Sequence, residues 1–441
     1  MRMMKGLIFL KSAFLLWVFV LVFVPTATAG KTIKLTIPTA ISMAFEASED
    51  LKISENEILR NISKQQEERS YARPTVIGQV VWSNNFEYPD IATTAATREY
   101  YVDSGLTLSQ TLFTFGRISN AVSAAKKAVD ASRFNKESTR QDIVYNTKFC
   151  YFNTLLAKKI LEISEESYEN AKQNKNILED RSAQGRVSKY DNIKISADIS
   201  SRLPTVNNAR ANFISTLETL KVAIGAAAGD NVELVDGFLQ EFQEFDREDL
   251  ALALYKNQPA IKALVEMIKE KEASIKSKKA TLFPEISAFA TWNHKGDGDD
   301  CYIGKDNLDD YGVAGLKVTV PVWVGGMDRE KLRQAKLDKE DAELQYAKGR
   351  EKYLLLLDKA ISEYREYLKT LEANEDAVRL AEEAFLYSQE LFGSGQVSLT
   401  DLNDSELQLT NAKINKEITL FNLNMTVALV ERLALKESPH E

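Results

Sequence analysis

Two stretches of the chain carry a helical pattern over an unusual length. Between Gly116 and Gly185 lie 68 residues with no glycine and no proline. Apolar positions such as Ile118, Val122, Ala125 and Val129 recur there at i, i+4, i+7 and i+11, the spacing of one helix face. One helix of that length runs about 100 Å at 1.5 Å per residue, against roughly 11–12 residues for an ordinary globular helix. Gly326 to Gly395 spans the same 69 positions as Gly116 to Gly185. A rod of this length cannot bury its apolar stripe against itself. It needs neighbours, both its own returning helix and other chains.

Shorter stretches alternate with period two. Val102, Leu106 and Leu108 share one face, with Asp103, Thr107 and Ser109 on the other. Ala314, Leu316, Val318 and Val320 oppose Lys317 and Thr319 in the same way. One apolar and one polar face suits a lipid-facing barrel with a wet lumen, and equally a soluble sandwich.

The pattern occurs twice, at an offset of 210. Pro74 matches Pro284, Trp82 matches Trp292, Leu106 matches Leu316 and Gly116 matches Gly326. Gly185, Val187, Ser188 and Asp191 match Gly395, Val397, Ser398 and Asp401. Beyond them the offset reads as 203, with Asn208-Ala209-Arg210 resembling Asn411-Ala412-Lys413. The seven-residue difference equals two turns of a heptad-like packing. The expected units are residues 30–237 and 238–441, joined through Gly225 to Gly237. Each predicts the same order. A first helix covers Thr39–Tyr71 or Arg247–Thr281 and ends at a proline. A strand over Thr75–Ser83 or Glu285–Trp292 follows, then a polar loop over Asn84–Arg98 or Asn293–Asp310. A second strand covers Tyr100–Phe113 or Tyr311–Val324. A long helix then leads to a tip, and a helix of roughly 35 residues returns from Ser188 or Leu399. The strand parts thus cover 75–113 and 285–324, and the helical parts 117–224 and 327–435.

Four strands leave open edges, and bacterial barrels have at least eight. A barrel built from this chain is therefore shared between copies: eight strands from two, twelve from three.

Composition narrows the chemistry. The 441 residues hold two histidines and two cysteines, too few for a usual protein zinc site. There is no G-x-S-x-G, H-E-x-x-H or Walker A pattern, so neither catalysis nor a cofactor is expected. Arg2, Lys5 and Lys11, the apolar run Ala13–Val24 and Ala27-Thr28-Ala29 read as a secretory signal over residues 1–29. Its removal takes the net charge from −8 to −11, which argues against nucleic-acid binding. Cys150 and Cys301 fall nearly a helix length apart and are expected to be unpaired. The acidic loop with Asp297, Asp299, Asp300, Asp306, Asp309 and Asp310 reads as a solvated outer loop, with Ca²⁺ binding as the alternative. Trp82 and Trp292 read as an aromatic belt or as core packing.

Taken in order, these features resemble the TolC-like outer membrane efflux family over the whole mature chain. The resemblance rests on the doubled helix–hairpin–long-helix–return order and on Pro74 and Pro284. It rests also on the junctions Leu112-Phe113-Thr114-Phe115-Gly116 and Pro321-Val322-Trp323-Val324-Gly325-Gly326, and on the tips Gly185-Arg186-Val187-Ser188 and Gly395-Gln396-Val397-Ser398. It implies a mainly α fold with β: a homotrimer whose twelve-stranded outer-membrane β-barrel continues into a long α-helical periplasmic barrel. It implies a location in the outer membrane of a Gram-negative bacterium, in contact with its lipid. The partners it implies are a periplasmic adaptor (membrane fusion) protein and an inner-membrane transporter, in a tripartite efflux or type I secretion system. An exported coiled-coil interaction protein without a pore is the competing reading; it has no use for alternating strands.

The resemblance also assigns residues. Gly185, Val187, Gly395 and Val397 fall where the adaptor docks. Asp401 and Asp404 fall where aspartates ring the tunnel entrance, while a macrodipole-stabilising role at the helix start is the structural alternative. Phe392 stands where a tyrosine lock is expected and Val397 where an arginine is. Asp191 and Lys194 are the neighbouring pair available to substitute, although an (i, i+3) surface pair contributes only about 0.2–0.5 kcal/mol.

Overall fold

The structure is a computed structural model that describes residues 32–84, 99–183, 188–298 and 308–434. The signal over residues 1–29, Gly185, Val187 and Cys301 lie outside the described residues. In chain order the elements are β1 (Thr32–Leu35), α1 (Ile37–Ala47), α2 (Glu49–Ser70), β2 (Thr75–Asn84), β3 (Tyr100–Phe113), α3 (Arg117–Ala183) and α4 (Lys189–Ile224). Then come β4 (Asn231–Leu234), α5 (Arg247–Asn257), α6 (Pro259–Ala280), β5 (Glu285–Gly298), β6 (Leu308–Thr319), α7 (Met327–Ser394) and α8 (Leu399–Ala434).

The long helices form as their pattern demands, over 67 and 68 residues. The first helix of each unit, expected to be continuous, is broken instead. Ser48 separates α1 from α2 in extended backbone (φ −61, ψ 120) and accepts from Leu51 N–H at 3.2 Å. A serine that caps the next helix competes with continuing the last one. Gln258 makes the equivalent break at φ −58, ψ 117. Pro259 follows it, and the residue before a proline is pushed out of the α region.

The second hairpin also differs from its expected bounds. β5 continues past Trp292 to Gly298, because Tyr100 to Gly105 of β3 pair with it throughout. β6 begins at Leu308 and stops at Thr319 rather than Val324. Pro321 has no N–H to give to a ladder. The offset of 210 persists in the return helices, which both span 36 residues, from Lys189 and Leu399 to Ile224 and Ala434. The local likeness at offset 203 therefore does not shift the element bounds.

Four antiparallel strands form one sheet in the order β2-β3-β5-β6. The helices contact one another in a matching order, α2-α3-α6-α7 beside the sheet and α4-α3-α8-α7 toward the tips. The sheet passes into α3 through Gly116 at φ +91 and into α7 through Gly325 and Gly326 at φ +65 and +83, a region that glycine enters without steric cost. Phe115 also takes positive φ, +50, and its ring stacks on Phe283 at 5.5 Å.

Midway along the rods, the segment between α4 and α5 is no plain linker. β4 pairs in parallel with β1, Ile33 opposite Val232. Four residues with a partner some 200 positions away leave little periodicity to read. Beneath this pair lies the main core, with Leu35, Tyr151, Leu220, Ile224, Tyr364 and Leu423 buried together. The Tyr151 hydroxyl accepts from Asp236 N–H at 2.9 Å and lies 3.1 Å from the Leu35 carbonyl. Among the described residues no helix is long and apolar enough to cross a membrane.

Candidate functional site

Two regions carry chemistry: the sheet and the helix tips. In the sheet, cross-strand partners share a face. Val76, Leu108, Ala290 and Ala314 fall in one row, and Leu106, Trp292 and Gly312 in the next. This face is mainly apolar and uncovered, with Val80 75% and Leu316 71% exposed, and one row on it carries Ser104, His294 and Asp310 beside Val80. Trp82 and Trp292 lie on it and are exposed, so they are not packed in a core. Gly312 lets the Trp292 ring lie flat, since a Cβ there would stand 3.3 Å from it. The opposite face carries Gln79, Asp103, Thr107, Ser109, Thr291, Asn293 and Lys317. Where the sheet meets the helices, Arg117 of α3 donates to Glu285 of β5 at 2.6 Å.

The acidic loop lies mostly outside the described residues. Of its flanks, Asp310 contacts His294 on the neighbouring strand, and Asp103 takes Lys295 at 3.5 Å. Among the described residues no group of His, Cys, Asp or Glu could hold a metal ion.

At the tips, α3, α4, α7 and α8 close over Leu178, Ile195, Phe385, Phe392, Leu399 and Leu402. Gly395 turns the chain at φ +85 and donates to the Phe392 carbonyl at 3.1 Å, while Gln396 N–H reaches Leu391 at 2.9 Å. This is a glycine-terminated helix end that satisfies the last carbonyls. Val397 is half-buried just beyond it.

The aspartates are exposed and locally engaged. Asp401 accepts from the Ser398 hydroxyl at 2.6 Å, and its own N–H returns to that hydroxyl at 3.2 Å. Ser188 and Asp191 make the same pair of contacts, at 2.8 and 3.1 Å. Each is a capping arrangement that satisfies orphan donors of a helix start. Asp404 lies one turn on from Asp401, also exposed. The expected Asp191–Lys194 pair does not form; Lys194 Nζ donates to the Thr400 hydroxyl at 2.6 Å. The serine already holds Asp191, and the lysine stem reaches the other copy instead.

Phe392 lacks a hydroxyl, yet it is tied. It is 1% exposed, and the Arg181 guanidinium lies 5.0 Å over its ring and donates to its carbonyl at 2.8 Å. The arginine of this tie comes from the opposite hairpin and not from position 397, where the chain has valine. A second tie joins the hairpins as well. Arg202 of α4 donates to Asp198 at 3.0 Å, to the Ser167 hydroxyl at 2.7 Å and to Glu406 of α8. Glu406 is 1% exposed. It falls between Leu402 and Leu409 at i+4 and i+7 spacing, and a carboxylate on an apolar stripe was the available signal.

Comparison with known proteins matches this arrangement. A family model described as "Outer membrane efflux protein" matches residues 65–226 and 251–430. The chain is 22% identical over 310 residues to outer membrane efflux protein BepC of Brucella suis biovar 1 (strain 1330), covering 70% of this chain and 67% of the relative. The outer membrane channel CmeC of Campylobacter jejuni superposes with a TM-score of 0.78 at 18% identity, over 90% of this chain and 85% of that one. The outer membrane protein VceC of Vibrio cholerae gives a TM-score of 0.78 at 16% identity, over 90% of this chain and 96% of that one.

Proposed function

The chain belongs to the outer membrane efflux protein family, and from that premise we propose that three copies close into the outer-membrane duct of a tripartite efflux or type I secretion system. The single observation that carries the assembly is the agreement of its open sides. The sheet ends in unpaired edges at β2 and β6. α2 and α4 end the helix layer on the β2 side, and α7 ends it on the β6 side. Both sides carry exposed apolar side chains among their charged ones: Ile53 of α2 with Ile193 and Ile214 of α4 on one, Leu344, Leu355 and Leu386 of α7 on the other. Two different faces that meet make a head-to-tail contact, and such contacts close into a ring when the rotation from copy to copy closes. Closure removes both edges of the four-stranded sheet, as a membrane requires. The uncovered apolar face then meets lipid and the polar face lines the pore.

In this reading solute enters between the helix tips. Asp401 and Asp404 from three copies form the carboxylate ring of the entrance, with Asp191, Lys194 and Phe392 beside it. Gly395 and Val397 stand at the tip of the second hairpin, where a periplasmic adaptor docks and joins the duct to an inner-membrane transporter; Gly185 and Val187 are their counterparts in the first repeat by sequence. Arg181 and Arg202 hold the two hairpins of one copy together.

The native mass of the detergent-extracted protein tests the assembly. A trimer that needs detergent, and that conducts ions in planar bilayers, is the expected result. A monomer soluble without detergent overturns it and restores the coiled-coil reading.

A further inference from the structure

On the polar face of the sheet one row crosses three strands. Asp103 of β3 stands opposite Lys295 of β5, and Lys295 stands opposite Asp309 of β6. Lys295 Nζ lies 3.5 Å from an Asp103 carboxylate oxygen and 5.0 Å from the centroid of the Tyr311 ring. The Tyr101 hydroxyl donates to that same carboxylate at 3.2 Å. A carboxylate, held by a phenol and joined by an aromatic face, thus surrounds one ammonium. These are the groups that recognise alkylammonium ions in general.

The ammonium in this cradle is the chain's own. It sits on a flexible four-carbon stem, and the side chain remains 36% exposed. The row carries two carboxylates to one ammonium, so it stays negative with Lys295 seated. Lower on the same face Lys317 stands opposite Ser287, with no carboxylate partner in its row.

We propose that this row is an ammonium-exchange site in the wall of the pore. Lys295 fills it at rest, and the ammonium group of a passing organic cation displaces it. The tethered lysine competes at high effective concentration, so the site favours cations without trapping them, which conduction requires. The inference rests on the reading of the polar face as a pore wall.

Single channels in planar bilayers test it, in an Asp401→Asn/Asp404→Asn background that removes the entrance carboxylates. Spermine, whose amines resemble the lysine head, is added on the outer side. Lys295→Gln vacates the cradle and is expected to tighten the block about tenfold, the weight of one such contact. Adding Asp103→Asn to Lys295→Gln is expected to abolish that gain. Lys317→Gln removes the same charge elsewhere on the face and is expected to leave the block near its background value. An unchanged block in Lys295→Gln, or an equal gain in Lys317→Gln, overturns the exchange site while the conductance itself upholds the pore. Absence of conductance in the unsubstituted protein overturns the pore, and the site with it.

Discussion

The guanidinium of Arg202 donates to Glu406, a carboxylate that no longer sees solvent. The contact joins the return helix of one copy of the repeat to that of the other. Removing one partner of a buried pair leaves the other charge uncompensated and costs more than the pair itself contributes.

Glu406→Ala is therefore expected to destabilise the tip region by about 3 kcal/mol, the lower end of the range for a broken buried pair. The lower end applies because Asp198 and Ser167 still hold Arg202. The double change Arg202→Met/Glu406→Leu is expected to recover most of the loss. Thermal unfolding in detergent reads both, and a double variant no better than Glu406→Ala would refute the account.

At the entrance, Asp401 combines a structural and an electrostatic role. Its carboxylate caps α8 through Ser398, so Asp401→Asn keeps an acceptor while removing charge. With Asp404→Asn it is expected to relieve block by multivalent cations applied from the helix-tip side, since a carboxylate ring attracts them. Block that persists unchanged in the double variant removes the carboxylates from the entrance.

The middle of the rods should yield to alkali. Burial pushes the Tyr151 and Tyr364 hydroxyls up to about 12. Their folded values lie above the ordinary tyrosine value of about 10. The stability they contribute is thus fully present below about pH 10 and is lost as pH rises through about 12. Burial raises Tyr353 as well, so ultraviolet difference titration should show late-ionising phenols that include Tyr151 and Tyr364, and Tyr151→Phe should remove one of them. A late-ionising set that is unchanged in Tyr151→Phe contradicts the burial.

Gly225 closes α4 at φ +68, and a Cβ there would stand 2.3 Å from the Ala47 Cβ. Neither the backbone conformation nor the contact with α1 accommodates a side chain. Gly225→Ala is expected to cost about 1–3 kcal/mol, the scale of one strained non-glycine residue. Gly229→Ala, where a Cβ meets nothing within 4 Å, is the comparison. Equal melting temperatures for the two variants would argue against the close approach.

The repeat, the long helices and the two-faced strands were legible in the sequence because each is a local periodicity. A helix of 67 residues announces itself by what it lacks, glycine and proline, and by an apolar stripe that recurs on one face. Alternation at Val102, Leu106 and Leu108 likewise needs no partner to be seen. The breaks at Ser48 and Gln258 were only half legible. A cap or a following proline ends a helix only when the bent form also packs, and packing is not local. The β1–β4 pair, the reach of Lys194 to Thr400, and the hold of Arg181 on Phe392 left no periodic trace. Each joins residues about 200 positions apart, and only the folded chain brings such partners within a hydrogen bond. Sequence pattern determined which elements form and which faces are apolar. Tertiary structure decided which charged side chains meet, because a contact of about 3 Å depends on the register of whole helices against one another.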